Sequence, residues 1–392
     1  MQITEIRIDF CIKASVFEGH EMEQYVTVGG RRLRKGYTTG TCAAAAAKAA
    51  VYMLASGNKL EKVKVHTPAG IALELPVNDV IVSNSFAECS VIKDGGDDPD
   101  ATTGLKIFAR AEFTSDGRIE LKAGEGIGTV TLPGLKVEPG KPAINPVPLK
   151  MIHESVAQVL PAGKGAILTL RVPGGDEAAK RTYNPKLGIV GGISIIGTTG
   201  IVEPMSEDAW KETLALELSI LRSKGHKSCA FVFGNYGEDF VASVFGIQRD
   251  MIVKVSNFIG FMLDKAANLG IKTVLVAGHL GKLVKVAGGI FHTHSRTADA
   301  RMEILAAYSG LEGASTDAMR RIYSCRTTAE AAAIIESEGL ERVYKRIVAN
   351  VSEKCADYTY GKVFIGTALF SEDKKLLHAD ENAYMAIKEL KG

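Results

Sequence analysis

The second half of the chain contains short runs that are apolar throughout, and each is followed by a longer stretch with helical periodicity. The runs are GIVGGISII (188–196), CAFVFG (229–234), TVLVAGH (273–279) and VFIGTALF (363–370). Strands that are apolar on both faces need helices above and below them, as in a mainly parallel α/β sheet. We therefore expect an α/β C-terminal domain over 181–392, with a helical insertion near 311–356.

In the first half, polar and apolar residues alternate along several short segments. Examples are KVKVHT (62–67), FAECSVIK (86–93) and KIFARAEFT (106–114). Alternation of this kind is typical of antiparallel strands with one buried face. An Ala-rich helix over about 42–56 precedes them, so we expect an α+β domain over 31–180. Residues 1–30 are interpreted as an N-terminal extension.

The overall composition argues against several classes of protein. The 392 residues carry a formal net charge of +2, which gives no general attraction to nucleic acid or to a membrane. The N-terminus lacks the unbroken apolar run of a secretory signal, and no apolar stretch is long enough to span a bilayer. The six cysteines are scattered singly, which favours reduced thiols. We expect a soluble cytoplasmic protein, and the sequence leaves open whether it forms homo-oligomers.

Residues 36–50, GYTTGTCAAAAAKAA, are a short polar turn that leads into a helix of alanines. Thr39 or Thr41 can cap the helix, and Gly40 gives the turn conformational freedom. Alanine allows close approach of another backbone or of a flat ligand. Free N–H groups and the helix dipole favour an anion, and Arg34 lies just upstream. Simple capping is the more common arrangement, and anion binding is the alternative.

The loop KDGGDDPDATTG (93–104) is the densest acidic stretch of the chain. Crowding of Asp94, Asp97 and Asp98 can raise the pKa of a carboxyl group and produce a general base. Such a cluster can also hold a hard cation, although the spacing is not that of an EF-hand. The alternative is an ordinary solvated turn, because Asp, Gly and Pro are common turn residues.

Three of the apolar runs end in turns that contain glycine. In open α/β sheets, ligands bind beyond the carboxyl ends of the strands, so three such turns at one edge predict a pocket. The turns match neither GxGxxG nor the phosphate-binding pattern GxxxxGK[ST], so they do not identify a nucleotide. The residues predicted to bind a cofactor there are Gly197, Thr198, Thr199, Gly200, Gly234, Asn235, Gly237, Gly278, His279 and Gly281.

The segment FHTHSRTADAR (291–301) contains His292, His294 and Arg296. A metal site would need a third ligand, which the pattern does not define. Contact with an anion is one interpretation, and histidines that bind backbone partners are the other.

Four stretches together resemble one protein family. RKGYTTGTCAAAAAKAA, GGISIIGTTGIVEPMS, GNYGEDF and GHLGKLVKVAGGIFHTHSRTADAR resemble the CbiD family, the cobalt-precorrin-5B C1-methyltransferases of anaerobic cobalamin biosynthesis. The resemblance runs from about Leu33 to Leu305. It implies a two-domain protein, α+β and then α/β. It also implies transfer of a methyl group from S-adenosyl-L-methionine to C1 of a cobalt-bound tetrapyrrole, giving cobalt-precorrin-6A.

With such a substrate, the candidate residues acquire roles. The glycine turns would hold S-adenosyl-L-methionine, and Asp94, Asp97 or Asp98 would remove a proton or steady the sulfonium charge. Cobalt would arrive inside the substrate, so the protein needs no metal site of its own. The alternative function is a corrinoid-binding or carrier protein without catalysis. The residues expected to contact the flat, carboxylate-rimmed macrocycle are Arg34, Thr38, Thr39, Gly40, Thr41, His292, His294 and Arg296.

Overall fold

The structure is a computed structural model that describes residues 24–392 and the two-residue strand Glu5–Ile6. The chain divides into two compact units, a first unit over 1–207 and a second unit over 208–392. Most of the predicted N-terminal extension 1–30 lies outside the described residues.

The first unit is built on a six-stranded sheet in the order β1-β10-β12-β9-β8-β7. Neighbouring strands are antiparallel, except that β10 and β12 are parallel. This agrees with the alternating pattern of the sequence. The elements are β1 (Glu5–Ile6), β2 (Tyr25–Val28), β3 (Arg31–Arg34), β4 (Gly36–Tyr37), α1 (Thr39–Ser56), β5 (Lys62–His66), β6 (Ala72–Pro76), β7 (Asn78–Val82), β8 (Ala87–Ile92), β9 (Lys106–Thr114), β10 (Ile119–Ala123), β11 (Thr129–Val130), α2 (Pro146–Ala157), β12 (Gly165–Arg171), α3 (Gly175–Ala179), β13 (Ile189–Val190) and β14 (Ile201–Val202).

Helix α1 is the centre of the hydrophobic core of the first unit. It contacts α2 as well as β5, β8 and β9, so it is surrounded by other elements. Thr38 caps its start, and Gly57 ends it in the left-handed conformation with φ of 70°. The alanines suit this position because their small side chains let the neighbouring elements approach the helix axis closely.

The second unit is built on a five-stranded sheet in the order β16-β15-β17-β18-β19. The first four strands are parallel, and β19 pairs antiparallel with β18. A mainly parallel sheet therefore agrees with the prediction. The elements are α4 (Glu207–Ser223), β15 (Ser228–Val232), α5 (Asn235–Phe245), a 3₁₀ turn (Arg249–Met251), β16 (Ile252–Lys254), α6 (Ile259–Leu269), β17 (Thr273–His279), α7 (Leu280–Ala287), α8 (Arg301–Leu311), α9 (Thr316–Tyr323), α10 (Thr328–Ser337), α11 (Arg342–Tyr358), β18 (Phe364–Phe370), β19 (Leu376–Ala379) and α12 (Glu381–Lys391).

Both faces of this sheet are buried, as the apolar runs required. Phe231 and Val276 belong to a core shared with α6, α7 and α11, whereas Val232 and Ala277 belong to a second core shared with α5 and α12. The segment 311–356 is helical and contains α9, α10 and most of α11. Within residues 24–392, no helix combines the length and the hydrophobicity needed to cross a membrane.

Two expectations about the organisation of the chain need correction. The boundary was expected at 180/181, but 181–207 belong to the first unit. The run 188–196 was expected to be a strand of the parallel sheet, but it contributes only β13, which pairs antiparallel with β11. Gly191 and Gly192 interrupt the run. A Cβ atom on Gly192 would lie 2.3 Å from the backbone of Gly126, so this segment packs backbone against backbone.

The sequence interpretation also missed two elements. It expected only helical periodicity between the runs 229–234 and 273–279, whereas the structure also has the short strand β16 and an irregular turn before α6. It also read the segment after β15 as a turn, although α5 begins there at Asn235. A three-residue strand carries too little periodicity to be recognised alone, and the glycines in GNYG favour a turn over a helix start.

Candidate functional site

The N-terminus of α1 is occupied by the protein itself. The Thr38 hydroxyl oxygen accepts the N–H of Thr41 at 3.2 Å, so Thr38 is the cap rather than Thr39 or Thr41. The N–H groups of Thr38 and Gly40 donate to the carbonyl oxygens of Gly200 and Ile196, at 3.0 and 2.9 Å. The Thr41 hydroxyl also donates to Gly200 at 2.7 Å. The expectation of an open helix end for an anion is therefore wrong.

The alanines of α1 offer no face to a flat ligand. Ala43 to Ala47 are 0% exposed. A Cβ atom on Gly40 would lie 2.8 Å from the Pro148 ring, so this glycine permits close contact with α2. The Thr39 hydroxyl accepts the N–H of Ile196 at 2.9 Å and holds that segment against the helix. Packing, and not ligand binding, explains the small side chains.

The carboxylates of the acidic loop have partners in the first unit. Asp94 forms two hydrogen bonds with the Arg34 guanidinium, at 2.7 and 2.8 Å. Asp97 accepts the backbone N–H of Arg34 at 2.7 Å, and Asp98 accepts that of Met205 at 3.0 Å. The hydrogen bonds from Arg34 hold the pKa of Asp94 below its usual range, so this carboxylate is a weak base. The loop fastens the strand that leads into α1.

Asp94→Asn is expected to remove part of the acid sensitivity of folding. The pKa of Asp94 is lower in the folded state, so its pair stabilises the fold above the unfolded pKa and is lost as pH falls through the folded value. The side chains of Arg34 and Asp94 are 43% and 34% exposed, so the effect is at most about 1 kcal/mol. Urea unfolding at pH 3 to 7 measures it, with the exposed Asp176→Asn as control. The same pH dependence in Asp94→Asn and in the unchanged chain would contradict this role of the pair.

The Gly197–Gly200 turn lies beside the start of α1. Gly197 has φ of 139°, and a Cβ atom there would lie 2.2 Å from the Thr38 hydroxyl oxygen. Gly200 has φ of 82°, and its Cβ atom would lie 2.7 Å from Cβ of Thr67. The close approach that the glycines predicted is therefore present, but the approaching groups belong to the protein.

The two threonines of this turn have different surroundings. The Thr199 hydroxyl donates to the carbonyl of Ile201 at 3.0 Å, and Thr198 is exposed. The turn thus lies in the first unit with the acidic loop and the Thr38–Thr41 segment. The prediction that all three glycine turns share one sheet edge is wrong.

The other two glycine turns do meet at one sheet edge, in the second unit. They follow β15 and β17, which are parallel neighbours. From β15 the chain first adds β16 on one side and then crosses to add β17 on the other, so β15 and β17 flank a topological switch point. Ligands of open α/β sheets bind in the crevice at such a point. We call the segments 233–237 and 278–282 the switch-point edge.

The glycines of the switch-point edge have different surroundings. A Cβ atom on Gly237 would lie 2.9 Å from Cβ of Val232, and one on Gly278 would lie 2.9 Å from the Phe233 ring. Both glycines therefore allow tight packing. No heavy atom of the described residues lies within 4 Å of the place where a Cβ atom on Gly234 would be. Open space thus lies beyond the carboxyl end of β15.

His279 lies at the end of β17 and at the N-cap position of α7. Its ring lies over the first turn of the helix, because a Cβ atom on Gly281 would be 3.1 Å from its Cε1. Nδ1 is buried and has no hydrogen-bond partner among the described residues. Burial, and then the charge of Lys282, lower the pKa of His279, so the imidazole is neutral at pH 7.

A polar network runs from this edge to the end of β16 and to the loop 291–300. Lys254 donates to the Asn235 side chain at 3.0 Å. Lys282 donates to the Asn257 side chain at 2.6 Å, and the backbone N–H of Thr293 donates to the Asn257 carbonyl at 2.9 Å. The sequence interpretation missed Lys254, Asn257 and Lys282. Only the lysine in GHLGK offered a signal, because Lys254 ends a strand that was not recognised and Asn257 follows it.

The network brings the histidine segment to the same part of the second unit. His292 Nδ1 lies 2.6 Å from the Thr297 hydroxyl, and His294 Nδ1 accepts the backbone N–H of Arg296 at 3.2 Å. Arg296 is exposed. Among residues 24–392, no three His, Cys, Asp or Glu side chains are grouped so that they could hold a metal ion.

Similarity to known proteins covers most of the chain. The CbiD family model matches residues 26–204, and the model of the CbiD C-terminal domain matches 292–381. A protein of Thermoanaerobacter sp. (strain X514) named cobalt-precorrin-5B C(1)-methyltransferase is 52% identical, over 89% of this chain and 96% of that protein. One of Alkaliphilus metalliredigens with the same name is 48% identical, over 91% and 94%.

A crystal structure of the cobalamin biosynthesis protein CbiD from Archaeoglobus fulgidus is 29% identical in sequence and covers 71% of this chain and 88% of its own. Its TM-score is 0.36, which does not establish a shared arrangement of the chain. The assignment to a family rests instead on sequence identity of about one half to these two relatives, over about nine tenths of this chain. The chain belongs to the CbiD family.

Proposed function

We propose that this protein is a cobalt-precorrin-5B C1-methyltransferase. It methylates C1 of the cobalt-bound tetrapyrrole with S-adenosyl-L-methionine as methyl donor and releases cobalt-precorrin-6A. The observation that carries the proposal is the 48–52% identity to relatives of that name, which extends over almost the full length of both partners. Cobalt belongs to the substrate.

The switch-point edge of the second unit is the best candidate for the donor site. Three features support it: the open space at Gly234, the Nδ1 of His279 that no described residue partners, and the position at a switch point of a parallel sheet. A nucleoside with an amino-acid tail offers the hydroxyl, amino and carboxylate groups that such surroundings can bind. When bound, S-adenosyl-L-methionine supplies an electrophilic methyl group on a sulfonium.

The residues of this edge would act mainly by positioning. Asn235 and Lys254 hold the start of α5 against the end of β16, and His279 presents an uncharged ring at the adjoining strand end. A neutral imidazole does not repel the cationic sulfonium. Alignment of donor and acceptor with exclusion of water supplies a large part of the rate enhancement in such displacements, so a strong base is unnecessary.

The substrate carries carboxylates around a flat ring, and exposed cationic or hydrogen-bonding groups suit its rim. In the second unit, the candidates for contact with this rim are Arg296 and His294. They belong to the loop that Thr293 joins to the switch-point edge. Asp97 and Asp98 remain candidates for a catalytic role. Their contacts in the first unit give each of them a structural role as well.

The proposal predicts methyl transfer by the purified chain. Anaerobic incubation with cobalt-precorrin-5B and S-adenosyl-L-methionine should add one methyl group to the tetrapyrrole, as read by mass spectrometry. Omission of the protein and omission of the donor are the controls. Tight retention of the tetrapyrrole with no added methyl group would contradict the proposal and support a corrinoid carrier.

A further inference from the structure

Helix α7 and the start of α8 carry more positive charge than the described residues around them neutralise. Lys282 and Lys285 lie three residues apart on this helix and therefore on one side of it, and both contact Thr293. Arg301 lies close enough to lower the pKa of both lysines. We call Lys282, Lys285 and Arg301 the cationic cluster.

Among the described residues, one carboxylate contacts this cluster, and it is already engaged. Asp299 forms two hydrogen bonds with Arg301, at 2.6 and 2.8 Å. Its distance to Lys285 Nζ is 3.8 Å. Lys285 is 3% exposed, and its other partners are the carbonyl oxygens of Thr293 and Ala298. The negative charge of Asp299 thus compensates the charge of Arg301 and part of the charge of Lys285.

Lys282 has neutral partners among the described residues. Its ammonium donates to the side-chain oxygens of Asn257 and Thr293, at 2.6 and 3.4 Å. The side chain is half-buried, and burial lowers its pKa first, followed by the charges of Lys285 and Arg301. A cation that is partly desolvated without a counterion is unfavourable unless another group supplies the negative charge.

The position of Lys282 in the helix adds to this imbalance. It is the third residue of α7, and the first turn of the helix contains no acidic residue. The N-terminal end of a helix carries a partial positive charge, so a lysine there is repelled and an anion is attracted. His279, one turn earlier, adds a buried Nδ1 that has no partner within residues 24–392. All of these groups lie at the switch-point edge.

We propose that Lys282, with His279 beside it, binds a carboxylate of the ligand at the switch-point edge. This inference rests on the proposed function, which requires a methyl donor and a tetrapyrrole that both carry carboxylates. The carboxylate of the amino-acid tail of the donor is the expected source, because Lys282 belongs to the same switch-point edge as Gly234 and the open space beside it. The carboxylate rim of the tetrapyrrole is the other source of the same chemistry.

Calorimetric binding to the full chain separates the two sources. The donor probes are S-adenosylhomocysteine and the same molecule without its carboxyl group. The tetrapyrrole probes are cobyrinic acid, a cobalt corrinoid with free carboxyl groups, and its heptamethyl ester. Lys282→Met removes the charge and keeps the length of the side chain. Lys265→Met on α6, whose nearest carboxylate is 3.9 Å away at Glu212, is the matched control.

We expect Lys282→Met to weaken binding of S-adenosylhomocysteine by about ten- to hundredfold, as for one lost charged hydrogen bond. Binding of the decarboxylated probe and the unfolding midpoint should stay unchanged, and Lys282→Arg should recover part of the loss. Selective loss of cobyrinic acid, with its ester unaffected, would assign the site to the tetrapyrrole.

Unchanged affinity for all four probes in Lys282→Met would overturn the inference and leave the proposed function intact. Failure of the wild-type chain to bind S-adenosylhomocysteine or to transfer a methyl group would overturn the proposed function, and the inference with it. Equal losses for a probe and its carboxyl-free counterpart would also overturn the inference, because the lysine would then act on the fold.

Discussion

Ala43→Leu is expected to lower the free energy of unfolding by about 1–3 kcal/mol, because it adds carbon atoms to a filled core. Ala43 is 0% exposed, and α1 is surrounded by α2 and by strands β5, β8 and β9. The same substitution at Ala55, an exposed alanine near the end of the helix, should change the unfolding free energy by less than about 0.5 kcal/mol. Urea unfolding followed by circular dichroism measures both variants.

This pair of variants also tests the two interpretations of the alanine stretch. If the stretch serves packing, Ala43→Leu affects unfolding, and any loss of ligand binding follows the loss of folded protein. If a flat macrocycle lies on the alanines, the variant should weaken binding of a cobalt corrinoid while its unfolding curve matches that of Ala55→Leu. The second result would contradict the core position of α1.

Patterns that depend on local repetition predicted the fold well. The strands of the first unit bury one face, and their polar and apolar residues alternate. The strands of the second unit bury both faces, and they are apolar throughout. Each of these patterns can be recognised in a single short segment. The prediction of a sheet strand was wrong for the run 188–196, because an apolar segment can be buried by loop-to-loop packing as well as by a sheet. The glycines at 191 and 192 were the signal against a strand.

The candidate site was harder to predict, for a physical reason. Glycine shows that something comes close to the backbone and does not show what. At Gly197 and Gly200 the approaching groups are Thr38 and Thr67, whereas at Gly234 no group of the described part of the chain approaches. The acidic loop posed the same problem, because a carboxylate that binds a neighbouring arginine looks in sequence like one that removes a proton.

The charge imbalance at α7 could not be read from the sequence either. Lys282, Asn257 and Thr293 are brought together by β16, α7 and the loop 291–300, which are separated along the chain. Only the fold shows that Asp299, the carboxylate that contacts this cluster among the described residues, is already paired with Arg301. The candidate ligand-binding groups at this edge are therefore a product of the fold and not of a local sequence pattern.

The contrast between Gly234 and Gly278 gives the sharpest test of the donor site. Gly234→Val is expected to weaken binding of S-adenosylhomocysteine by about ten- to hundredfold, since placing a side chain in occupied space costs about 1–3 kcal/mol. The fold should tolerate the substitution. Gly234 has extended backbone angles, with φ of 175°, and its added Cβ atom meets no neighbour within 4 Å.

Gly278→Val should behave in the opposite way. Its Cβ atom would lie 2.9 Å from the Phe233 ring and 3.0 Å from Leu283, so the unfolding free energy should fall by about 1–3 kcal/mol. Calorimetry with S-adenosylhomocysteine and thermal unfolding of both variants give the two readouts. Wild-type donor affinity in a folded Gly234→Val protein would place the donor away from the end of β15, because a ligand seated there has to meet the valine.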